Sequence, residues 1–153
     1  MKKIYIIVKL LSLLLVFAIS LFCFSLFAFA DMLYEIGSEE FFSARDLIAR
    51  VVDTLAPDAS YAARLALSAV IVNRVRDPHF PSDIYSVVFE RGEFEGVGRE
   101  DLFTFCPSQL SMIAARDALL GFDVSRGALY FRRGYPSERM GACFYHDGFL
   151  FYK

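Results

Sequence analysis

Metal-binding side chains are scarce in this sequence. Its 153 residues include two histidines, His79 and His146, three cysteines and no tryptophan. Structural zinc sites draw four nitrogen or sulfur ligands from closely spaced residues. No such spacing occurs here, so the sequence argues against a metal site.

Cysteine is also too sparse for a disulfide framework. Cys23 lies in the apolar N-terminal segment, which leaves Cys106 and Cys143 for the rest of the chain. Two cysteines in an exported domain could pair, but a sequence does not show whether their geometry allows a disulfide. Two half-buried thiols are the alternative, and both interpretations stay open.

The chain has fewer basic than acidic residues, 16 against 18. The formal net charge of the whole chain is −2. Without the three lysines of residues 1–30, 13 basic residues face 18 acidic ones, and the net charge becomes −5. Nucleic-acid binding needs a basic face that contacts phosphates, so a nucleic-acid partner is not expected.

Acidic residues are absent from the first 30 positions. The chain begins Met1-Lys2-Lys3 and continues as an apolar run in which Lys9 is the only charge. The run ends in the small-x-small pattern Ala28-Phe29-Ala30, directly before Asp31. A basic start, an apolar middle and small residues at the end predict a secretory signal peptide at residues 1–30.

An uncleaved membrane anchor is the alternative for this segment, because Leu10 to Ala30 is long enough to span a bilayer. Cleavage is favoured since acidic residues follow the small-residue site at once. In both cases residues 31–153 are expected outside the cytoplasm. Contact with a membrane is expected only through residues 1–30. Residues 31–42 are then a lead-in, and 43–153 form one domain.

Helical periodicity dominates the first part of that domain. An apolar stripe over residues 47–55 predicts a helix, which Pro57 ends. Asp58 or Ser60 is expected to cap the next helix, which runs from Tyr61 to Val75 and is apolar on nearly every side. A helix without a polar face is buried on most sides, so this one is predicted to be the centre of the core.

Shorter helices and a small sheet are predicted to follow. A short helix begins at Ser82 or Asp83, and a longer one lies between Pro107 and Gly121, with a glycine-rich loop at 92–98 between them. Strands are expected at 128–132, 143–145 and 149–152, with a hairpin turn at His146-Asp147-Gly148. Helices first and strands later predict an α+β domain.

Four ordered blocks of residues resemble the spore cortex-lytic, SleB-type cell wall hydrolases. The blocks are Asn73-Arg74-Val75; Pro78, Phe80-Pro81, Ile84, Val87-Val88 and Gly92-x-Phe94; Ala115-Arg116-Asp117-Ala118-Leu119-x-Gly121; and Gly127-Ala128-Leu129-Tyr130-Phe131. Their order and spacing both fit that family, and an exported N-terminus agrees with it.

The resemblance implies a lysozyme-like helical core followed by a small antiparallel sheet, and a peptidoglycan glycan strand as the partner. Members of the family cut the bond between the two amino sugars as lytic transglycosylases. One carboxylic acid protonates the leaving oxygen and then acts as a base while an anhydro ring closes. A partly buried Glu suits both steps because burial raises its pKa. That chemistry needs no metal or cofactor.

The residues at the expected catalytic positions differ from the family pattern. The family places its glutamate 18 residues before the Asn of Asn-Arg-Val, and Leu55 stands there in this chain. A second family glutamate falls on Ala59, the glutamine of the glycine-rich loop on Glu93, and the C-terminal histidine on Phe149. The resemblance therefore implies the fold and the target, and leaves the enzymatic activity open.

Three acidic residues are candidates for a relocated catalytic acid. Glu93 and Glu95 lie in the glycine-rich loop beside the family's cleft, and two close carboxylates raise one another's pKa. Asp58 could reach from the turn, although capping is its more ordinary role. Asp53 lies about 200° around the helix from Leu55 and is predicted on a solvated or capping face.

The remaining polar and aromatic residues are expected to be structural. Asn73-Arg74 and Arg116-Asp117 are predicted to form hydrogen bonds or ion pairs within the fold. Tyr130, Phe131 and Tyr135 could line a sugar groove, but aromatic residues in a short sheet are more often core.

Functions of different classes therefore compete. One is an exported cell wall glycosidase with a relocated acid. Another is a non-catalytic glycan-binding or accessory protein of the envelope, acting in germination or sporulation. A structural envelope protein without a glycan contact is the third.

Overall fold

The computed structural model describes residues 2–90, 94, 98–135 and 144–153. The chain divides into two compact units, Met1–Glu39 and Glu40–Lys153. The candidate site lies in the second unit.

The first unit consists mainly of helix α1, Lys2–Ile36. Within it, Lys9–Asp31 is a stretch of 23 residues that is long and apolar enough to cross a membrane. A signal sequence near an N-terminus has the same length and composition. This helix is therefore compatible with both the signal peptide and the anchor.

Two long helices begin the second unit. Helix α2, Glu39–Leu55, buries one face, which includes Ile48, Val51 and Val52. Helix α3, Tyr61–Arg76, is buried along most of its length, from Ala63 through Val72. The prediction that this helix forms the centre of the core is confirmed.

Three more helices follow. They are α4, Ile84–Val88, α5, Arg99–Leu102, and α6, Gln109–Leu119. Of these, α4 and α6 pack against α3. The Ser108 hydroxyl caps α6 by accepting the backbone N–H of Ser111, and Gly121 follows that helix with φ +96°. Glycine adopts this left-handed conformation without a steric penalty, so the predicted stop is confirmed. The single turn α5 was not predicted.

A three-stranded antiparallel sheet completes the unit. Its strands are β1, Tyr130–Arg133, β2, Phe144–His146, and β3, Phe149–Tyr152, in the order β1-β3-β2. The central strand β3 buries Phe149, Leu150 and Phe151. Asp147 and Gly148 both have positive φ, which is the conformation that a two-residue type I′ hairpin turn requires. The predicted hairpin is confirmed.

These elements confirm the predicted α+β class, a helical core followed by a small antiparallel sheet. Three details differ from the prediction. His146 ends strand β2 instead of lying in the turn. Strand β1 begins at Tyr130 rather than Ala128, and Cys143 lies outside the described residues. Cys106 is exposed rather than half-buried.

Candidate functional site

The turn between α2 and α3, residues 55–60, forms an elbow. Leu55 ends α2 and is half-buried, and Ala56 extends the helical bonding by donating its N–H to Val52 at 2.9 Å. The N-cap of α3 is Ser60, whose hydroxyl accepts the N–H of Ala63 at 3.5 Å. Capping by Asp58, the alternative raised from the sequence, is therefore wrong.

The β2–β3 hairpin closes one side of the elbow. Asp147 Oδ2 accepts the backbone N–H of Ser60 at 2.7 Å, and His146 Nε2 lies 3.1 Å from Ser60 Oγ. Hydrogen bonds from the hydroxyl and the backbone N–H of Ser60 hold the pKa of Asp147 below its usual value. Its carboxylate is therefore ionised at neutral pH.

Arg133, at the end of β1, closes the other side. Its Nη2 donates to the backbone carbonyl of Leu55. Its guanidinium carbon lies 4.8 Å from the ring centroid of Phe149, which is its antiparallel partner on β3. A guanidinium over an aromatic face gains a cation–π attraction, so these two contacts hold the Arg133 side chain in one place.

Between these elements lies an open cleft of about 180 Å³. Its lining combines an apolar floor with one guanidinium and two carboxylates, from Ala56, Pro57, Asp58, Ala59, Arg133, Asp147 and Phe149. Asp58 is exposed at the edge. The cleft suits a small polar group with an apolar side.

Asp53 lies away from this cleft, in a polar cluster that joins three helices. Its carboxylate pairs with Arg64 and accepts hydrogen bonds from the hydroxyls of Ser108 and Ser111 at 2.9 and 2.8 Å. The Asp53 side chain is only 12% exposed. The solvated alternative is wrong, because Ser108 and Ser111 cover this side of α2. The capping alternative agrees with the structure, since Asp53 accepts the backbone N–H of Ser108, the N-cap residue of α6.

The pKa of Asp53 reflects that cluster. Burial would raise the pKa, but hydrogen bonds from the Ser108 backbone, the Ser111 and Ser108 hydroxyls and Arg64 outweigh it, and the pKa is lowered. Asp53 is therefore an ionised structural carboxylate and not a proton donor.

Asn73 and Arg74 bind backbone of the β1 region, as the sequence predicted. Arg74 is buried, donates from Nε to the carbonyl of Leu129 at 2.7 Å and lies against the ring of Phe94. Asn73 donates to the carbonyl of Ala128 at 3.2 Å. These bonds fix β1, and so Arg133, relative to α3.

The second predicted pair is also structural. Arg116 donates to Asp117 at 2.7 Å, and Asp117 accepts the hydroxyl of Tyr61 at 2.6 Å. This chain of contacts ties the first turn of α3 to α6. The structural interpretation of Arg116-Asp117 is confirmed.

The structure locates some of the proposed site residues. Asp58 lines the cleft, whereas Glu93 and Glu95 lie outside the described residues. Of the aromatic candidates, Phe131 packs on the core, but Tyr130 and Tyr135 are 37% and 80% exposed. The expectation that these aromatics are core is therefore wrong for the two tyrosines.

Sequence reasoning missed three residues of the site. Arg133 and Asp147 line the cleft, and His146 touches the cap of α3. The sequence offered only weak signals for them: an arginine pair in an apolar strand, and a polar hairpin turn. In the part of the chain that is described, no three His, Cys, Asp or Glu side chains cluster as a metal site requires.

Part of the site lies in a region that matches a known family. The family model described as Cell Wall Hydrolase matches residues 58–147, which include the second half of the elbow, Arg133 and Asp147. The chain belongs to the cell wall hydrolase family. The resemblance to spore cortex-lytic enzymes is confirmed by curated relatives.

Two of these curated relatives are named spore cortex-lytic enzyme. Those from Bacillus subtilis and Halalkalibacterium halodurans are each 35% identical to this chain over 85 residues, which are 56% of the chain. The match covers only 28% and 26% of their respective lengths. The similarity therefore concerns one domain of longer proteins.

Solved structures extend the similarity to the fold. The catalytic domain of the Bacillus cereus SleB protein superposes with a TM-score of 0.65 at 26% identity, covering 76% of this chain and 91% of that one. The catalytic domain of a germination-specific lytic transglycosylase, SleB from Bacillus anthracis, gives 0.64 at 25% identity, with 76% and 96% covered. Both superpositions show that this chain shares the fold of these catalytic domains.

Proposed function

We propose that this chain is an exported, peptidoglycan-directed member of the cell wall hydrolase family that binds the glycan strand without cutting it. One observation carries the proposal. Leu55 ends α2 at the elbow, where the family resemblance expects the proton-donating glutamate. A leucine side chain has no proton to transfer.

Two nearby carboxylates, Asp53 and Asp147, do not supply the missing acid. Glycosidic cleavage needs a carboxyl that is still protonated near neutral pH, which burial without counter-charges provides. Asp53 and Asp147 both have lowered pKa values because they accept several hydrogen bonds. Both are ionised under the conditions where a general acid is needed.

Support for glycan binding comes from the retained cleft and from the family. The elbow, the hairpin and Arg133 line an open space that begins at Ala56, the residue after Leu55. Cell wall hydrolases act on peptidoglycan, and the related spore cortex-lytic enzymes act on the spore cortex by name. A domain that keeps this architecture and loses its acid is suited to hold a glycan strand.

A hydrolase with a relocated acid is the second candidate. Asp58 lies in the cleft itself. Phe94, between Glu93 and Glu95 in sequence, is buried and packs against Phe131 of β1 with ring centroids 6.0 Å apart. This contact places Phe94 itself against the sheet.

A sacculus assay separates the two candidates. The full-length chain in non-ionic detergent is incubated with purified sacculi or cortex fragments, which are then pelleted, and the supernatant is analysed by mass spectrometry for anhydro-muropeptides. Co-pelleting without product supports the binding protein. Product that disappears in Glu93→Gln, Glu95→Gln or Asp58→Asn would show an enzyme and identify its acid.

We propose the same organisation as the sequence predicts: a signal peptide at residues 1–30, a lead-in at 31–42 and the wall-directed domain at 43–153. Mass spectrometry of the protein recovered from an expressing bacterium tests this proposal. A mature chain starting at Asp31 supports cleavage. An intact N-terminus in the membrane fraction supports the anchor, and an intact chain in the cytoplasm would contradict export.

A further inference from the structure

Arg133 carries the positive charge that faces the cleft. Among the residues that line the cleft, it is the one cation beside two carboxylates. Of its N–H groups, Nη2 donates to the Leu55 carbonyl. In the described part of the chain, no carboxylate forms an ion pair with Arg133, which leaves guanidinium N–H groups available to a ligand.

The geometry of this guanidinium suits an anion with two oxygens. A guanidinium is planar and presents parallel N–H donors, which match a carboxylate in a bidentate arrangement. The carbonyl of Leu55 and the ring of Phe149 already fix the side chain. A fixed side chain loses little rotamer entropy when a ligand binds.

We propose that the cleft recognises a carboxylate of the glycan through Arg133. This inference rests on the proposed glycan binding and names the chemical group that is bound. Peptidoglycan offers that group in two places, on the lactyl ether of muramic acid and on the attached peptide. A neutral amino-sugar polymer offers none, so Arg133 would select the wall strand from such polymers.

The size of the cleft agrees with a small group. At about 180 Å³ it is smaller than the roughly 300–1,000 Å³ of sites that enclose whole drug-sized ligands. A carboxylate and its adjacent carbons fit such a space, with the apolar part against Pro57 and Phe149. The sugar rings then lie outside, along the elbow.

The two carboxylates that line the cleft, Asp58 and Asp147, carry negative charge and so disfavour the binding of an anion. Asp147 is engaged by Ser60 at the positive N-terminal end of α3, and that end of a helix stabilises a negative charge. Asp58 is exposed and lines the same cleft. It repels an anionic ligand, so Asp58→Asn is expected to tighten the binding of a carboxylate and to leave a neutral ligand unaffected.

The test uses soluble, fluorescently labelled glycan strands in matched forms. One form is stripped of peptide and so bears lactyl carboxylates, and a second keeps its peptides. Each is also prepared with its carboxylates converted to amides. Fluorescence anisotropy with the full-length chain in non-ionic detergent then gives the four affinities.

The expected result is a preference for the carboxylate forms of roughly 10- to 100-fold, the range of a charge-assisted hydrogen bond. Arg133→Gln should abolish that preference and leave the affinity for the amidated strands nearly unchanged. Arg132→Gln is the matched control, because it removes the same charge from the opposite face of β1. A preference confined to one strand form identifies the lactyl or the peptide carboxylate as the source.

Several results would overturn the inference. They are equal affinity for the carboxylate and amide forms, an equal loss in the Arg132→Gln control, or weaker carboxylate binding in Asp58→Asn. If Arg133→Gln fails to fold by circular dichroism, Arg133→Lys replaces it, which keeps the charge and loses the bidentate fork.

A different outcome separates this inference from the proposed function. If the wild-type chain binds none of the strands, the proposed glycan binding fails. The Arg133 side-chain NMR signal is then followed during titration with N-acetylmuramic acid and with N-acetylglucosamine. A shift with the acid alone supports carboxylate recognition, and equal or absent shifts refute it.

Discussion

The substitution Asp53→Asn tests the polar cluster that joins α2, α3 and α6. In the native fold the Asp53 carboxylate faces the Arg64 guanidinium, whose side chain is only 5% exposed. The amide of asparagine keeps the shape and loses the charge. Arg64 would then be a buried cation without a counter-ion.

The expected loss follows from that uncompensated charge. Removing one partner of a buried ion pair destabilises a fold by about 3–5 kcal/mol. Arg64 also donates to the carbonyls of Pro57 and Ala59, which stabilise its charge, so the lower end, about 3 kcal/mol, applies. For a domain of this size such a loss lowers the melting temperature by roughly 10 °C.

Thermal unfolding of the full-length chain in non-ionic detergent, followed by near-UV circular dichroism, measures this shift. Asp46→Asn is the matched control on the same helix, where Asp46 pairs with Arg50 at 2.6 Å but is 37% exposed. Exposed pairs contribute about 1 kcal/mol or less. Equal melting temperatures for Asp53→Asn and Asp46→Asn would refute the reasoning.

The pH dependence gives a second check on Asp53. Its pKa is lowered in the folded state from an ordinary value of 3.8. A carboxyl with a lowered pKa stabilises the fold above its unfolded pKa and loses that contribution as the pH falls through the folded pKa. The difference in melting temperature between wild type and Asp53→Asn should therefore shrink below about pH 4, and a constant difference would contradict the assignment.

Three further predictions concern the elbow and its support. Ser60→Ala should destabilise the fold by about 1 kcal/mol through the lost helix cap, and thermal unfolding should show recovery in Ser60→Asn. Asn73→Leu should cost about 1–3 kcal/mol because the Ala128 carbonyl loses its partner, also measured by thermal unfolding. At a saturating strand concentration, Leu55→Glu alone should release little anhydro-muropeptide, since Arg133 favours the ionised carboxylate. Leu55→Glu with Arg133→Gln should release more under the same conditions, because saturation offsets the weaker strand binding. The reverse order by mass spectrometry would contradict this.

The periodic elements could be predicted from the sequence. The apolar run of α3 required burial on most sides, and the polar hairpin turn required residues that tolerate positive φ, as Asp147 and Gly148 do. Helix α5 was missed because a single turn of four residues is too short to show a hydrophobic period.

The cleft could be predicted only in part. Asp58 was identified because it lies in the elbow itself. Arg133 and Asp147 were not, because their contacts with the elbow join residues 78 and 87 positions apart in the chain. No local pattern encodes such distances. The same limit applies to Asp53, whose burial depends on Ser108 and Ser111 of a later helix.

The long separation between the two walls of the cleft has a consequence for folding. Contacts between distant residues form slowly, because the intervening loop must first be closed. A chain that is synthesised from its N-terminus can form the elbow early. The opposite side of the cleft forms only after the β2–β3 hairpin has been synthesised and has paired with β1. The complete cleft is therefore among the last features that the folding chain acquires, and a chain still being synthesised does not yet present it.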